Sequence, residues 1–368
     1  MGTSIQERHA ERLIDSCHAG LDLPGLTTEV LRRLPGILPV EAAFFAAVDP
    51  ATLLFTSAVA QEPLADAGPL FLDNEFARED VNKFTALARG PDTVTTLDRA
   101  TRGRRTDSPR YREIMAGLGL GDELRAALIA GHECWGVLCL HRADAEAGFS
   151  GQELATLGKL APHLAEGLRS SVIRERVTRD GPDTPGVPGA PGAPGVILLD
   201  TELRPVSINP EAEHWLARLP APGPQGLPLP VHSVAARLAS PPPARAPRAP
   251  EREPSDRHGS VRLQASDGHW LTLHSTRLQG PAGDQICVVI EPTPSTDIGS
   301  LLLAAHGLTP AQNRVTALVL QGCSTREIVS RLHISAYTVQ EHLTAVFARF
   351  GVSSRRELIT AVLTTHRH

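Results

Sequence analysis

The sequence predicts a multidomain α+β chain: an antiparallel sheet with its helices first, a small α+β segment in the middle, and an all-α tail of four helices. Three observations carry that reading. More than half of the 31 prolines fall between Pro182 and Pro254, in tracts too poor in apolar residues to order themselves, and these divide the chain. Apolar runs of strand length, joined by turn signals, lie on both sides of the first tract. From Leu308 onward, polar cap residues recur just ahead of helical apolar patterns.

Helices are expected over 5–19 and 27–34, followed by a strand pair over 42–48 and 53–60. Residues 125–130, a Gly131-His132 turn and residues 134–141 read as an antiparallel hairpin, so continuously apolar that both of its faces must be covered. Ser150 and Glu153 form a capping box, in which each residue's side chain bonds the other's backbone N–H. It opens a helix through Leu154, Leu157, Leu160, Leu164 and Leu168. Past the first proline tract, a strand from Gly195, a turn near Asp200, a second strand and a helix after Asn209 precede three further strands near 260–264, 270–278 and 285–291.

The tail has three capping boxes: Thr309 with Gln312, Ser324 with Glu327, and Ser354 with Glu357. Pro310 suits the first helical position and Gly322 a left-handed helix end, which places the first helix at 310–321. The second runs from Ser324 to near Leu332. After a His333-Ile334 turn, Ser335 caps a third helix that stops at Gly351. In the third helix Val339, Leu343, Val346, Phe347 and Phe350 form one apolar stripe, so that face is core. Gln340, Glu341 and Thr344 lie opposite. An amide can read adenine, a carboxylate can accept from cytosine and a threonine methyl can meet the thymine methyl, which makes these three the expected base readers.

Charge supports an anionic partner for the tail alone. Residues 308–368 hold seven arginines against three glutamates, a balance of +4, whereas the whole chain is −5 and the first 307 residues therefore −9. A helical tail that uses the same polar face to bind a protein, as a signalling or scaffold protein would, is the competing reading.

The ordered set Leu308-Thr309-Pro310, Gly322, Glu327-Ile328, Ile334-Ser335, Thr338-Val339 with His342, and Gly351-Val352-Ser353-Ser354-Arg355 with Glu357-Leu358 resembles the LuxR-type helix-turn-helix family of bacterial transcription regulators. The resemblance implies a tail domain over 303–368, double-stranded DNA as ligand, a homodimer, RNA polymerase as a further partner, and phosphate contacts at Ser335, Tyr337, Thr338, His342 and Arg349. The chain departs from the family at Arg314, where a glutamate is common, and at Gln340, where a lysine is frequent.

Gly136-Val137-Leu138-Cys139-Leu140, followed by Phe149-Ser150 and a leucine-rich helix, resembles the end of a GAF domain, a sensory α+β fold, here over 5–178. Family members bind small molecules between sheet and helices or serve in dimerisation. Phe71, Phe84, Tyr111 and Trp135 are the candidate lining of such a pocket, for an unidentified effector. After a linker at 179–194, residues 195–293 resemble a degenerate PAS domain with a proline-rich insert.

No phosphate loop, GxSxG or HExxH occurs, so no catalytic residue, enzyme activity or cofactor is expected. The five cysteines are odd in number and scattered, against a disulfide framework. His132, Cys134, Cys139 and His141 have the residue types of a metal site. Strand alternation puts 132 and 134 on the face opposite 139 and 141 unless a bulge at Gly136 changes the parity, so no metal is expected. With neither a spanning apolar run nor a leader pattern, the expected location is cytoplasmic, away from membranes.

Overall fold

The computed structural model describes residues 5–144, 147–177, 193–220, 226–239, 259–280 and 283–363. Nearly all of the expected linker and most of the proline-rich insert lie outside these residues.

Helices α1 (Ile5–His18) and α2 (Leu23–Arg33) lead into strands β1 (Ala42–Val48) and β2 (Phe55–Ala60). After α3 (Gly68–Ala77), α4 (Phe84–Arg89), β3 (Val94–Thr96) and α5 (Leu97–Thr101) comes the long hairpin β4 (Leu120–Ala130) and β5 (Glu133–Ala143), closed by α6 (Gly151–Val177). The strands form one antiparallel sheet in the order β2-β1-β5-β4-β3. Its two faces carry separate cores. Phe45, Leu124, Leu128, Leu138 and Leu140 pack under α1, α2 and α6, while Phe44, Phe55, Val137 and Cys139 pack with Phe71 of α3 and Phe84 of α4. The expected capping box at Ser150 is complete, with Glu153 N–H donating to Ser150 Oγ and Ser150 N–H to Glu153 Oε2.

The second sheet contains β6 (Gly195–Leu199), β7 (Pro205–Ile208), β8 (Gly259–Gln264), β9 (Trp270–Gly280) and β10 (Gly283–Pro292). Its order, β7-β6-β10-β9-β8, repeats that of the first, again antiparallel throughout. Helix α7 (Pro210–Leu216), capped by Asn209 Oδ1, covers one face together with α8 (Leu229–Ala239). Helix α8 was not evident in the proline-rich stretch; it supplies Val231, Val234 and Ala235 to the second core and also packs against α3 and β2. The units interlock further. Leu54, from the β1–β2 turn of the first sheet, is fully buried in the core of the second.

A connecting helix α9 (Ser295–Ala305) leads to α10 (Pro310–Leu320), α11 (Thr325–Leu332), α12 (Ala336–Phe350) and α13 (Arg355–Leu363). Val315, Val319, Ile328, Val339, Leu343, Val346, Leu358 and Val362 form the tail's own core. The boxes at Thr309 and Ser324 are complete. At Ser354 only half of the motif forms: Glu357 N–H donates to Ser354 Oγ, but the Glu357 carboxylate accepts from Ser353 N–H instead. Among the described residues no helix is long and apolar enough to cross a membrane.

Candidate nucleic-acid interface

Helices α11 and α12 meet at a two-residue turn in which His333 is left-handed, with φ 52°. Ser335 then caps α12, its Oγ accepting from Thr338 N–H at 3.0 Å. Gly351, at φ 64°, ends the helix where a residue with a Cβ is disfavoured. Val339, Leu343 and Val346 are buried and Phe347 and Phe350 half-buried, so the apolar stripe does seat α12 on its neighbours.

The opposite face is open. Ser335, Tyr337, Gln340, Glu341, Thr344 and Arg349 are exposed, and Thr338 and His342 half-buried. Tyr337 stands out at 73% exposure, unusual for a large aromatic side chain with nothing to cover it. Three hydroxyl groups are partly committed: Thr344 Oγ1 donates back to Gln340 C=O at 3.0 Å, and Ser335 Oγ shares a hydrogen bond with Thr338 Oγ1 at 2.9 Å. Arg349 differs from the rest, since its Nη1 donates to the carbonyls of Gly307 and His306 at 2.6 and 3.2 Å, inside the protein's own backbone. In α13, Leu358 and Val362 are fully buried in the tail core and so close the bundle.

The candidate effector pocket does not assemble as expected. Phe71, Phe84 and Tyr111 belong to the face under α3 and α4, but Trp135 lies on the other face with Phe45 and Leu138. A bulge is the cause: Leu128 pairs with Gly136 and Ile129 with Cys134, so Trp135 is the extra residue and the strand's alternation reverses there. The same reversal brings Cys134 onto the face of Cys139, while His132 stays exposed in the turn.

What fills the space beside Phe71 and Phe84 is a buried ion network that sequence reading missed. Glu123 and Arg125, two apart on β4, point to that face with Cys139 and His141 of β5. Arg110 donates from Nη2 and Nε to Glu123 Oε2 at 2.6 and 2.9 Å. Arg125 lies 2.9 Å from Glu75 and 3.3 Å from Glu123, and its guanidinium stacks 3.9 Å from the Phe84 ring centroid. Burial alone would raise the Glu123 carboxyl, but the two guanidinium groups hold it well below the usual range. Burial pushes the His141 imidazole down to about 4 and the Cys139 thiol up.

Glu123, Cys139 and His141 offer three donor atoms within 4.8 Å of one another. A cation there would sit against Arg110 and Arg125, both already at ion-pair distance from the one carboxylate, and the thiol would have to lose its proton. The group is therefore better described as a neutralised charge cluster than as a metal centre.

Residues 306–362 match the bacterial regulatory proteins of the luxR family. This segment is a LuxR-type helix-turn-helix domain. Residues 26–168 match the GAF domain family, so the chain joins a GAF domain to a LuxR-type domain, two families that are in general non-enzymatic. Among curated proteins, HTH-type transcriptional regulators of Mycobacterium bovis and Mycobacterium tuberculosis are 46% identical over 52 residues, which cover 14% of this chain and 6% of each relative. Solved structures similar to this chain include the phycoerythrobilin-bound GAF domain of a cyanobacterial phytochrome, at 16% identity and TM-score 0.34, covering 47% of this chain and 98% of that one. Another is the GAF domain of an Acinetobacter phosphoenolpyruvate-protein phosphotransferase, at 11% identity and TM-score 0.34, covering 48% and 99%.

Proposed function

We propose that this chain is a sequence-specific transcriptional regulator that binds double-stranded DNA as a dimer, with the GAF domain as its sensory element. The observation that carries the reading is the open face of α12 in a LuxR-type domain, where Gln340, Glu341 and Thr344 project from a helix whose other face is locked into the core. These three are the proposed base readers. Ser335, Tyr337, Thr338 and His342, at the start and flank of the same helix, are the proposed phosphate contacts. RNA polymerase and an unidentified small-molecule effector are proposed as further partners. An effector beside Phe71 and Phe84 would have to displace the Arg125 guanidinium. The second sheet is proposed as a degenerate PAS-like unit with a structural role.

Selection of duplexes from a random library with the full chain tests this reading. A recovered consensus, bound with an affinity that falls steeply with log salt, is expected. Gln340→Ala should flatten preference at one base pair by about 1–3 kcal/mol. Recovery of no consensus, with no saturable binding at low salt, would leave the protein-binding reading of the tail in its place.

A further inference from the structure

Helix α9 belongs to two bodies at once. Leu301 and Ala305 sit in the core between the first sheet and α6, whereas Leu303 sits in the core of the tail domain. Near its start, Arg262 of the second sheet donates from Nη1 to Asp297 C=O and Ser300 Oγ, each at 3.0 Å. The same guanidinium grips Asp49 of the first unit from Nε and Nη2, at 2.9 and 2.6 Å. At its end, the carbonyls of Ala305 and His306 carry the negative end of the helix dipole, and that of Gly307 lies just past it. Two arginines from different domains converge there. Arg169 of α6 donates to Ala305 C=O at 2.5 Å, and Arg349 of α12 to His306 and Gly307. Gly307 is left-handed at φ 65°, and a Cβ on it would stand 3.0 Å from Arg169 Nη1 and 3.3 Å from Arg349 Nη1. The His306 ring stacks on Phe350 at 3.9 Å, which presses the same joint against the end of α12.

We propose that Arg349 is a positioning residue for DNA reading rather than a phosphate contact: with Arg169 it clamps the end of α9 and fixes the pose in which the GAF domain presents α12. The base-reading face stays open throughout, so the clamp orients the reading helix without covering it. Both carbonyl bonds come from Nη1, so the guanidinium is anchored at the joint between α9 and α12, and the side chain's reach is taken up there. Arg169 has no place near DNA in this scheme, yet it acts on the reading helix through the shared carbonyl cluster.

Two measurements on the full chain decide the matter. In hydrogen exchange, Arg169→Ala and Arg349→Ala should each speed exchange of the His306 and Gly307 amides by about tenfold or more, with β4, β5 and α12 unchanged and the double variant close to either single one. Unchanged exchange at 306–307 in both variants overturns the clamp, as does loss of protection spread through a whole domain. Arg349→Lys, which keeps the charge, should loosen the joint less than alanine does, and equal loosening would count against the clamp. The second measurement uses a random-sequence duplex as probe and rests on the DNA-binding reading above. Arg349→Ala should leave the slope of log affinity against log salt unaltered; a slope smaller by about 0.9 marks a lost phosphate contact and overturns the proposal. Absence of any duplex binding by the unaltered chain would sink the DNA reading, while hydrogen exchange would still decide the clamp.

Discussion

The two five-stranded sheets follow the same strand order and bury opposite chemistries. On the first, the face under α3 and α4 encloses Glu75, Arg110, Glu123, Arg125 and His141. On the second, the covered face is Ile197, Val261, Leu273, Val288 and Ile290 with the uncharged Ser233 and Ser275 buried beside it, while the Arg262–Asp49 ion pair belongs to the opposite face. Topology therefore leaves the core chemistry open. An apolar core tolerates small losses in proportion to the surface removed, while a buried ion network adds little over apolar packing yet exacts a large penalty when one member goes.

The largest test of that contrast is Glu123→Gln, which preserves shape and removes charge. Arg110 and Arg125 would stay buried without their shared carboxylate, at a cost of about 3–5 kcal/mol by denaturant titration. A loss below about 1 kcal/mol would show that the network is no more demanding than ordinary packing.

Next comes acid. His141 takes up a proton near its usual 6.5 in the unfolded chain but only near 4 when folded, so stability is full above this window and is lost as pH falls through it. The expected loss is about 3 kcal/mol. Glu123, also depressed, adds a loss in the same direction that sets in as pH falls into the ordinary glutamate range and continues below it. His232, beside the second sheet, is lowered by burial too, so unfolding titrations at several pH values should include His141→Phe. A flattened slope in that variant assigns the acid sensitivity to the first sheet; an unchanged slope moves it to the second and breaks the comparison.

The smallest effect is expected for Ile290→Val in the second sheet, again a minimal change of shape in a fully buried residue. The loss of one methylene should cost about 0.5–1.5 kcal/mol. A cost matching that of Glu123→Gln would mean that the second sheet is as exacting as the first.

How much of this was readable in the sequence depends on how local each signal is. The hairpin, the capping boxes and the stripe of α12 depend on neighbours within a few positions and were legible. Strand β4 begins at Leu120, earlier than expected, because Asp122 and Glu123 look like surface charges until their distant partners come together: the Asp98 and Phe149 N–H groups for Asp122, Arg110 and Arg125 for Glu123. Trp135, a candidate lining residue, faces away from Phe71 and Phe84 because the bulge that Gly136 permits does form beside it, and a uniformly apolar strand does not show on which side of the bulge each residue falls. Helix α9 escaped notice for a related reason. Ile298, Leu301, Leu302, Leu303 and Ala305 are all buried, so it is apolar on several sides and shows no single stripe. For the interface, exposure of Gln340, Glu341 and Thr344 followed from periodicity, whereas the attachment of Arg349 to Gly307 joins residues 42 apart and has no local signature.

Leu54 carries a consequence for anyone who would divide this molecule. The proline tract after α6 invites a cut, but a fragment ending there would bring a leucine to water that the intact chain keeps dry with residues more than a hundred positions later. Such a fragment would report on a surface that the intact chain never shows, and any exchange of one unit for a homologue would have to bring along a matching socket.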